Sequence, residues 1–289
     1  MLVAMKLSAT LLLLGAGLSA VAALDVSVAK EAHRLAIERR EASRDEAHTL
    51  QSRTNNRSRS RNWSGGAVTN DRYQSVTAEV IIPNITFPDG YDPKTTYSSS
   101  VWVGISGYDD FCDVAGQTGL IQGGYYYLYD KEGDFGVFAF YEWFPDGPVF
   151  LDDTEKILTN IGDHVRMTVT QKNNNTGTYT WENLTQGKKF EKSLTAPTNG
   201  SLCTNTAEWV VESFMSEKDH TSLYPDFGEL KFTNIKAVAE SGKPASLSDA
   251  YFYDAEPLLN GKRLTNCAIQ PETASTTCKW LGYKGIFSS

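Results

Sequence analysis

The chain has 289 residues, 40% hydrophobic and 21% charged, with 23 Gly, 10 Pro and a net charge of −8, a profile that fits a folded protein and excludes a disordered tail. Charge is unevenly placed: residues 24–61 hold nine Lys/Arg against six Asp/Glu, whereas residues 62–289 hold seventeen against twenty-nine. A body of −12 led by an arm of +3 repels phosphate backbones, which argues against a nucleic-acid partner.

The first residues read as a secretory signal peptide over 1–23: Lys6, an apolar stretch over 7–18, and the small residues of Ser19-Ala-Val-Ala-Ala23. That stretch is too short to span a bilayer, and no later segment reaches the ~18 to 20 apolar residues a span needs. The expectation is a secreted, extracellular protein with no membrane partner. Residues 29–50 lack Gly and Pro and suit a helix with a thin apolar face. Residues 51–61 are polar and basic, cannot bury enough to fold, and lie open to proteases. A processing site at or near Arg61 would divide a basic propeptide, 24–61, from a mature body, 62–289.

From Trp63 onward, short runs rich in Val, Ile, Thr, Tyr, Phe and Trp alternate with Gly, Pro, Asn and Asp, the punctuation of strands. Strands are expected over 76–83, 101–105, 118–124, 125–129, 137–144, 209–214 and 229–232. Val165-Arg-Met-Thr-Val169 and Thr178-Tyr-Thr-Trp-Glu182 alternate apolar with polar residues and read as half-buried antiparallel strands. Eight to twelve strands without an intervening helix predict an all-β, two-sheet antiparallel sandwich of the concanavalin-A-like or jelly-roll type, with a concave groove for an extended polymer. Four cysteines, Cys112, Cys203, Cys267 and Cys278, fit two disulfides in an oxidising compartment and match no zinc spacing. Six Asn-x-Ser/Thr sequons, at Asn56, Asn62, Asn84, Asn174, Asn183 and Asn199, suit the same route. Nothing argues against a monomer.

The chain has no His-Glu-x-x-His, no Gly-x-Ser-x-Gly and no pair of Asp-Thr/Ser-Gly motifs, so the usual signatures of zinc, α/β-hydrolase and pepsin-type peptidases are missing. His164 and His220 read as surface residues. No metal or cofactor is expected, and chemistry must rest on carboxylates, amides and water. In Ala207-Glu-Trp-Val-Val-Glu212, period two puts Glu208, Val210 and Glu212 on one face and Trp209 and Val211 on the other. A carboxylate there either faces solvent or sits in a groove, where apolar surroundings would raise its pKa. Gln122, beside glycines in Leu120-Ile-Gln122-Gly-Gly, offers an amide able to donate to a developing oxyanion; Gln117 competes for that role.

Asn62-Trp-Ser-Gly-Gly-Ala67, Ser100-Val-Trp-Val-Gly-Ile105, Leu120-Ile-Gln122, Tyr141-Glu-Trp-Phe-Pro-Asp146, Glu182-Asn-Leu-Thr185, Leu202-Cys203 with Ala207-Glu-Trp-Val-Val-Glu212, and Asp226-Phe-Gly228 with Phe232-Thr-Asn234 occur in this order. In these blocks the chain resembles the glutamic peptidases, or eqolisins, secreted acid endopeptidases of filamentous fungi. The resemblance implies a β-sandwich with a catalytic Gln and Glu, and a basic propeptide that blocks the cleft until acidification. By motif position the Gln falls on Gln122 and the Glu on Glu208. Trp63, Trp102 and Glu142 fall in motifs that border the family's cleft and are carried over as substrate-binding candidates. Cys112 and Cys203 match family positions and are paired on that ground, which leaves Cys267 with Cys278. The first bridge would close about 90 residues, worth roughly 4 to 5 kcal/mol in the chain-entropy picture. The family's last strand region falls on 245–256, and the tail from 258 has no counterpart.

Where the family reads Gly-Ile-Asp-Gly, this chain has Gly104-Ile-Ser106-Gly, so a carboxylate near the site is replaced. The competing readings are a glycoside hydrolase built on Glu208 and Glu212, and a sandwich that binds glycans or proteins without cutting. The first is disfavoured because four residues of extended strand separate the two backbones by about 13 Å, beyond the ~5 to 9.5 Å such pairs use. The charge split gives the arm a physical role: attraction holds it at neutral pH and weakens as carboxylates protonate. A peptide of residues 24–61 should therefore inhibit the body more strongly at pH 7 than at acidic pH, and equal inhibition at both would refute an electrostatic latch.

Overall fold

The computed structural model describes residues 57–60, 62–89, 97–107, 112, 117, 119–129, 135–151, 159–213, 224–256 and 262–283. The expected signal peptide, the helix over 29–50 and His220 lie outside them. Among the described residues fifteen strands run in chain order: β1 Arg57–Ser60, β2 Trp63–Val68, β3 Tyr73–Ile81, β4 Tyr97–Ser106, β5 Leu120–Tyr129, β6 Phe135–Phe144, β7 Val149–Phe150, β8 His164–Asn173, β9 Thr176–Asn183, β10 Lys188–Thr195, β11 Ala207–Ser213, β12 Glu229–Ala239, β13 Tyr251–Ala255, β14 Thr265–Gln270 and β15 Ser275–Trp280. They form an eight-stranded sheet, β1-β13-β2-β11-β4-β5-β6-β7, and a seven-stranded sheet, β10-β9-β8-β3-β12-β15-β14. The all-β, two-sheet sandwich is the architecture expected. No helix among the described residues is long and apolar enough to cross a membrane.

The core lies between the sheets. Alternation in β8 and β9 sends Val165, Met167, Val169, Tyr179 and Trp181 inward and their polar neighbours outward. From the eight-stranded sheet, Val101, Val103, Ile121, Tyr125, Trp209 and Val211 meet them. β5 and β11 are buried along nearly their whole length, on both faces, so they read in sequence as continuous apolar runs. Trp209 donates its indole N–H to Thr276 Oγ1 at 2.8 Å, joining β11 to β15 across the sandwich. Tyr179 fills the space beneath Gly123, where a Cβ would fall 2.2 Å from its ring.

Strands β1, β2, β7, β10, β14 and β15 lie outside the segments expected as strands. β10 is an edge strand of exposed Lys and Glu, held by its ladder to β9 and by Phe190 stacked on Tyr141 at 5.9 Å. β14 and β15 form a hairpin beside β12, so the tail beyond 258 contributes two strands to the second sheet. Cys267 and Cys278 face one another across that hairpin and are bridged, and Cys112 is bridged to Cys203. Among the sequons, Asn84 and Asn199 are exposed, whereas Asn183 is buried and donates to Asp163 Oδ2 at 2.7 Å.

The expectation that residues 51–61 cannot fold needs correction over 57–60. β1 pairs in parallel with β13. Arg57 Nε lies 2.8 Å from Asp254 Oδ2, its Nη2 donates to Asn266 Oδ1 at 2.9 Å, and its guanidinium covers the Phe252 ring at 4.8 Å. Arg59 pairs with Glu256 at 3.3 Å. The physical reason is that two arginines find buried acids distant in sequence, so the strand needs no apolar residues of its own. Asp254 also accepts from the Cys267 N–H at 2.7 Å and from Arg263 at 2.8 Å. Asp254→Ala would leave that buried N–H without its acceptor and remove the carboxylate that pairs with two guanidinium groups. Denaturant unfolding of the full chain should show a loss of about 2 to 4 kcal/mol.

Candidate active site

Cross-strand register builds the site. Glu208 on β11 stands opposite Gly104 on β4, Gly104 opposite Gln122 on β5, and Gln122 opposite Glu142 on β6. On the other side Glu208 faces Ala67 of β2. These residues form one row on the face that turns away from the second sheet. A parallel row holds Val210, Trp102, Gly124 and Phe140, and the next holds Trp63, Glu212, Ser100, Tyr126 and Phe138. Trp63, Trp102, Tyr126, Phe138, Phe140 and Val210 form an apolar cluster distinct from the core. All five residues expected at the site, Gln122, Glu208, Trp63, Trp102 and Glu142, share this face.

Gly104 separates the glutamate from the amide. Two inter-strand spacings put their backbones about 9.5 Å apart. A side chain at 104 would stand between them and press on Trp102, whose ring lies 2.9 Å from where its Cβ would be. Sequence reasoning misses this glycine's part, for which its place in the Val-Trp-Val-Gly motif is the available signal.

Glu208 is 0% exposed, and neither carboxyl oxygen has a hydrogen-bond partner among the described residues. Loss of solvation raises its pKa well above that of an ordinary glutamate, with only the nearby Thr206 hydroxyl opposing. Gln122, 1% exposed, donates Nε2 to Glu142 Oε2 at 2.6 Å, while its Oε1 has no partner among the described residues. Glu212 is engaged differently: it accepts from the Trp102 indole at 2.9 Å and from Asn62 Nδ2 at 3.4 Å. The Trp63 and Trp102 rings meet edge to face at 5.1 Å.

Ser106, at the end of β4 with φ 73°, accepts the Thr204 N–H on Oγ at 2.8 Å and donates its own N–H to Thr206 O. It braces the segment that enters β11 just before Glu208. Gln117 lies outside β5, three residues before Leu120. His164 begins β8 on the second sheet and meets Glu79 Oε2 at 2.9 Å, remote from the row. Among the described residues no cluster of His, Cys, Asp and Glu could hold a metal ion.

Residues 61–280 match the Peptidase A4 family. The chain belongs to that family. Aspergillopepsin-2 of Aspergillus niger is 32% identical over 238 residues, covering 78% of this chain and 79% of its own. Scytalidopepsin B of Scytalidium lignicola is 30% identical over 220 residues, covering 74% and 76%. Scytalido-glutamic peptidase with a transition state analog inhibitor superimposes with a TM-score of 0.62 at 26% identity, over 76% of this chain and 98% of that one. Aspergilloglutamic peptidase from Aspergillus niger gives 0.54 at 33% identity, over 64% and 99%. As a glutamic peptidase of this family, the chain is an endopeptidase, which sets aside the glycoside hydrolase and the non-cutting binding module.

The burial of Glu208 makes stability depend on pH. In the unfolded chain this carboxyl releases its proton near pH 4.5; in the fold it keeps the proton to higher pH. Its contribution is complete below about pH 4.5 and is lost as pH rises toward the folded pKa, at about 1.4 kcal/mol for each unit crossed. Unfolding measured at pH 4 and pH 7 should therefore show Glu208→Gln gaining on wild type as pH rises. A constant difference would contradict the unsolvated carboxyl.

Proposed function

We propose that this chain is a secreted acid endopeptidase in which Glu208 and Gln122 activate water against a peptide bond. The observation that carries the reading is the row itself: a buried carboxyl and an amide oxygen, neither with a geometric hydrogen-bond partner among the described residues, on one face with only Gly104 between them. The attacking water and the scissile carbonyl would enter between the two side chains, whose backbones stand about 9.5 Å apart.

Ionised Glu208 takes a proton from the water as its oxygen bonds to the carbonyl carbon. The oxyanion that forms is stabilised by an N–H of Gln122, whose Oε1 orients the water beforehand. Glu208 then gives its proton to the amide nitrogen, the C–N bond breaks, and a carboxylic acid and an amine leave. The ionised form of this carboxyl is a stronger base than ordinary glutamate and its protonated form supplies the leaving amine; hydrogen bonds from the bound water and substrate would favour the ionisation that burial alone opposes. Trp63, Trp102 and their aromatic neighbours would hold an extended polypeptide, a role supported by the tripeptide Ala-Ile-His complexed with a related eqolisin, SCP-B. The signal peptide over 1–23, the inhibitory propeptide over 24–61 with its cut near Arg61, and a monomeric mature form complete the proposal; the two disulfides support the extracellular route.

The test is hydrolysis of a denatured protein at acidic pH by the secreted, matured protein, with pepstatin and a metal chelator present. Wild type should cleave in their presence, Glu208→Gln should lose about 10³-fold or more, and Gln122→Ala about 10²- to 10³-fold. Activity retained by Glu208→Gln would move the catalytic carboxyl elsewhere.

A further inference from the structure

We infer that Glu142 is a positioning residue, whose carboxylate fixes which end of the Gln122 amide faces the reacting groups; the inference rests on the dyad reading above. The two ends of a glutamine amide are nearly the same size, and half a turn about the last torsion exchanges a donor for an acceptor. Catalysis needs one assignment, with Oε1 toward the attacking water and an N–H toward the oxyanion. A strand alone does not provide it.

The backbone of Gln122 is already fixed. β5 lies between β4 and β6 in continuous register, Gly123 packs onto Tyr179, and a Cβ on Gly124 would collide with the Val101 carbonyl. What remains free is the side chain, and Glu142 is its direct cross-strand neighbour. The 2.6 Å bond runs from Gln122 Nε2 to Glu142 Oε2. A carboxylate only accepts, so the amide must present nitrogen to it and turn Oε1 away. Both side chains are 1% exposed, so bulk water does not compete for the bond. One N–H is used in this bond. Oε1 has no partner among the described residues, and the second N–H is the donor that the mechanism would use beside it.

This departs from the expectation that Glu142 binds substrate directly, and the two roles separate kinetically. Removing a group that holds substrate raises KM; misorienting the amide lowers kcat, because only the correctly turned fraction is competent. Glu142→Leu, which keeps the bulk and removes the acceptor, should lower kcat about 10²-fold with KM within about twofold of wild type. Glu142→Gln offers both a donor and an acceptor, so it still holds the amide but in either turn, with about half of it turned correctly, and kcat should fall only about two- to threefold. In a Gln122→Ala background, Glu142→Leu should cost nothing further, since Glu142 acts only through the amide. Thermal unfolding confirms that each variant is folded, and Glu142→Gln serves if the leucine variant is not: its KM rising with kcat unchanged would overturn the proposal. So would a further loss from Glu142→Leu on top of Gln122→Ala. If Gln122→Ala itself stays active, the dyad reading fails, which is a separate result.

Discussion

The unbroken pairing of β11, β4, β5 and β6 is the constraint on which the site depends, because side chains in a strand alternate with period two. A slip of one residue in β5 would turn Gln122 into the core and bring Ile121 out; the same slip in β11 would exchange Glu208 for Trp209. The inter-sheet core resists both. Trp209 is held by Thr276 on the opposite sheet, Tyr179 occupies the hollow at Gly123, and Ile121 packs in the same core. Moving any of these outward would expose a large apolar surface and bury a polar group without a partner, each at a cost of a few kcal/mol. The packing on one face of the sheet thus selects the geometry on the other.

How much of this the sequence discloses depends on the range of the interaction. β8 and β9 are legible because one face is buried and the other wet, which writes alternation directly into Val165-Arg-Met-Thr-Val169 and Thr178-Tyr-Thr-Trp-Glu182. The separation of Glu208 and Val210 from Trp209 and Val211 follows from the same period. β10 is hidden because an edge strand is defined by its ladder, and its lysines and glutamates look like a loop. β1 is hidden because its partners, Asp254 and Glu256, lie almost two hundred residues away. The row of Glu208, Gly104, Gln122 and Glu142 joins four strands whose mutual register no local pattern encodes. Motif spacing singles out Gln122 and Glu208, whereas the part of Gly104 as a spacer and the hydrogen bond between Gln122 and Glu142 emerge only from the sheet.

The replacement at Ser106 bears on the same geometry. A hydroxyl that accepts the Thr204 N–H and a main chain that bonds Thr206 tie the end of β4 to the segment leading into Glu208. Serine meets that requirement without a charge. The buried carboxyl two residues into β11 then has no second acidic group bonded to it from this turn, and loss of solvation dominates its acidity.

A second buried glutamate in the same protein gives the contrast that makes Glu208 informative. Glu79, on β3 of the other sheet, is also nearly inaccessible, and burial alone would raise its pKa. Hydrogen bonds from Asn234 Nδ2 at 2.8 Å and Arg166 Nε at 2.8 Å, with His164 at 2.9 Å, outweigh that effect and hold the carboxyl below its ordinary range. The fold therefore satisfies a buried glutamate fully where the residue is structural. At 208 the same side chain has none of these donors, its pKa moves in the opposite direction, and the amide oxygen in its row has no partner among the described residues. Groups left in that condition destabilise the folded chain, and a water molecule lodged between them would satisfy both at once. In the proposed mechanism that water molecule is the attacking group, which Glu208 and Gln122 would hold between them.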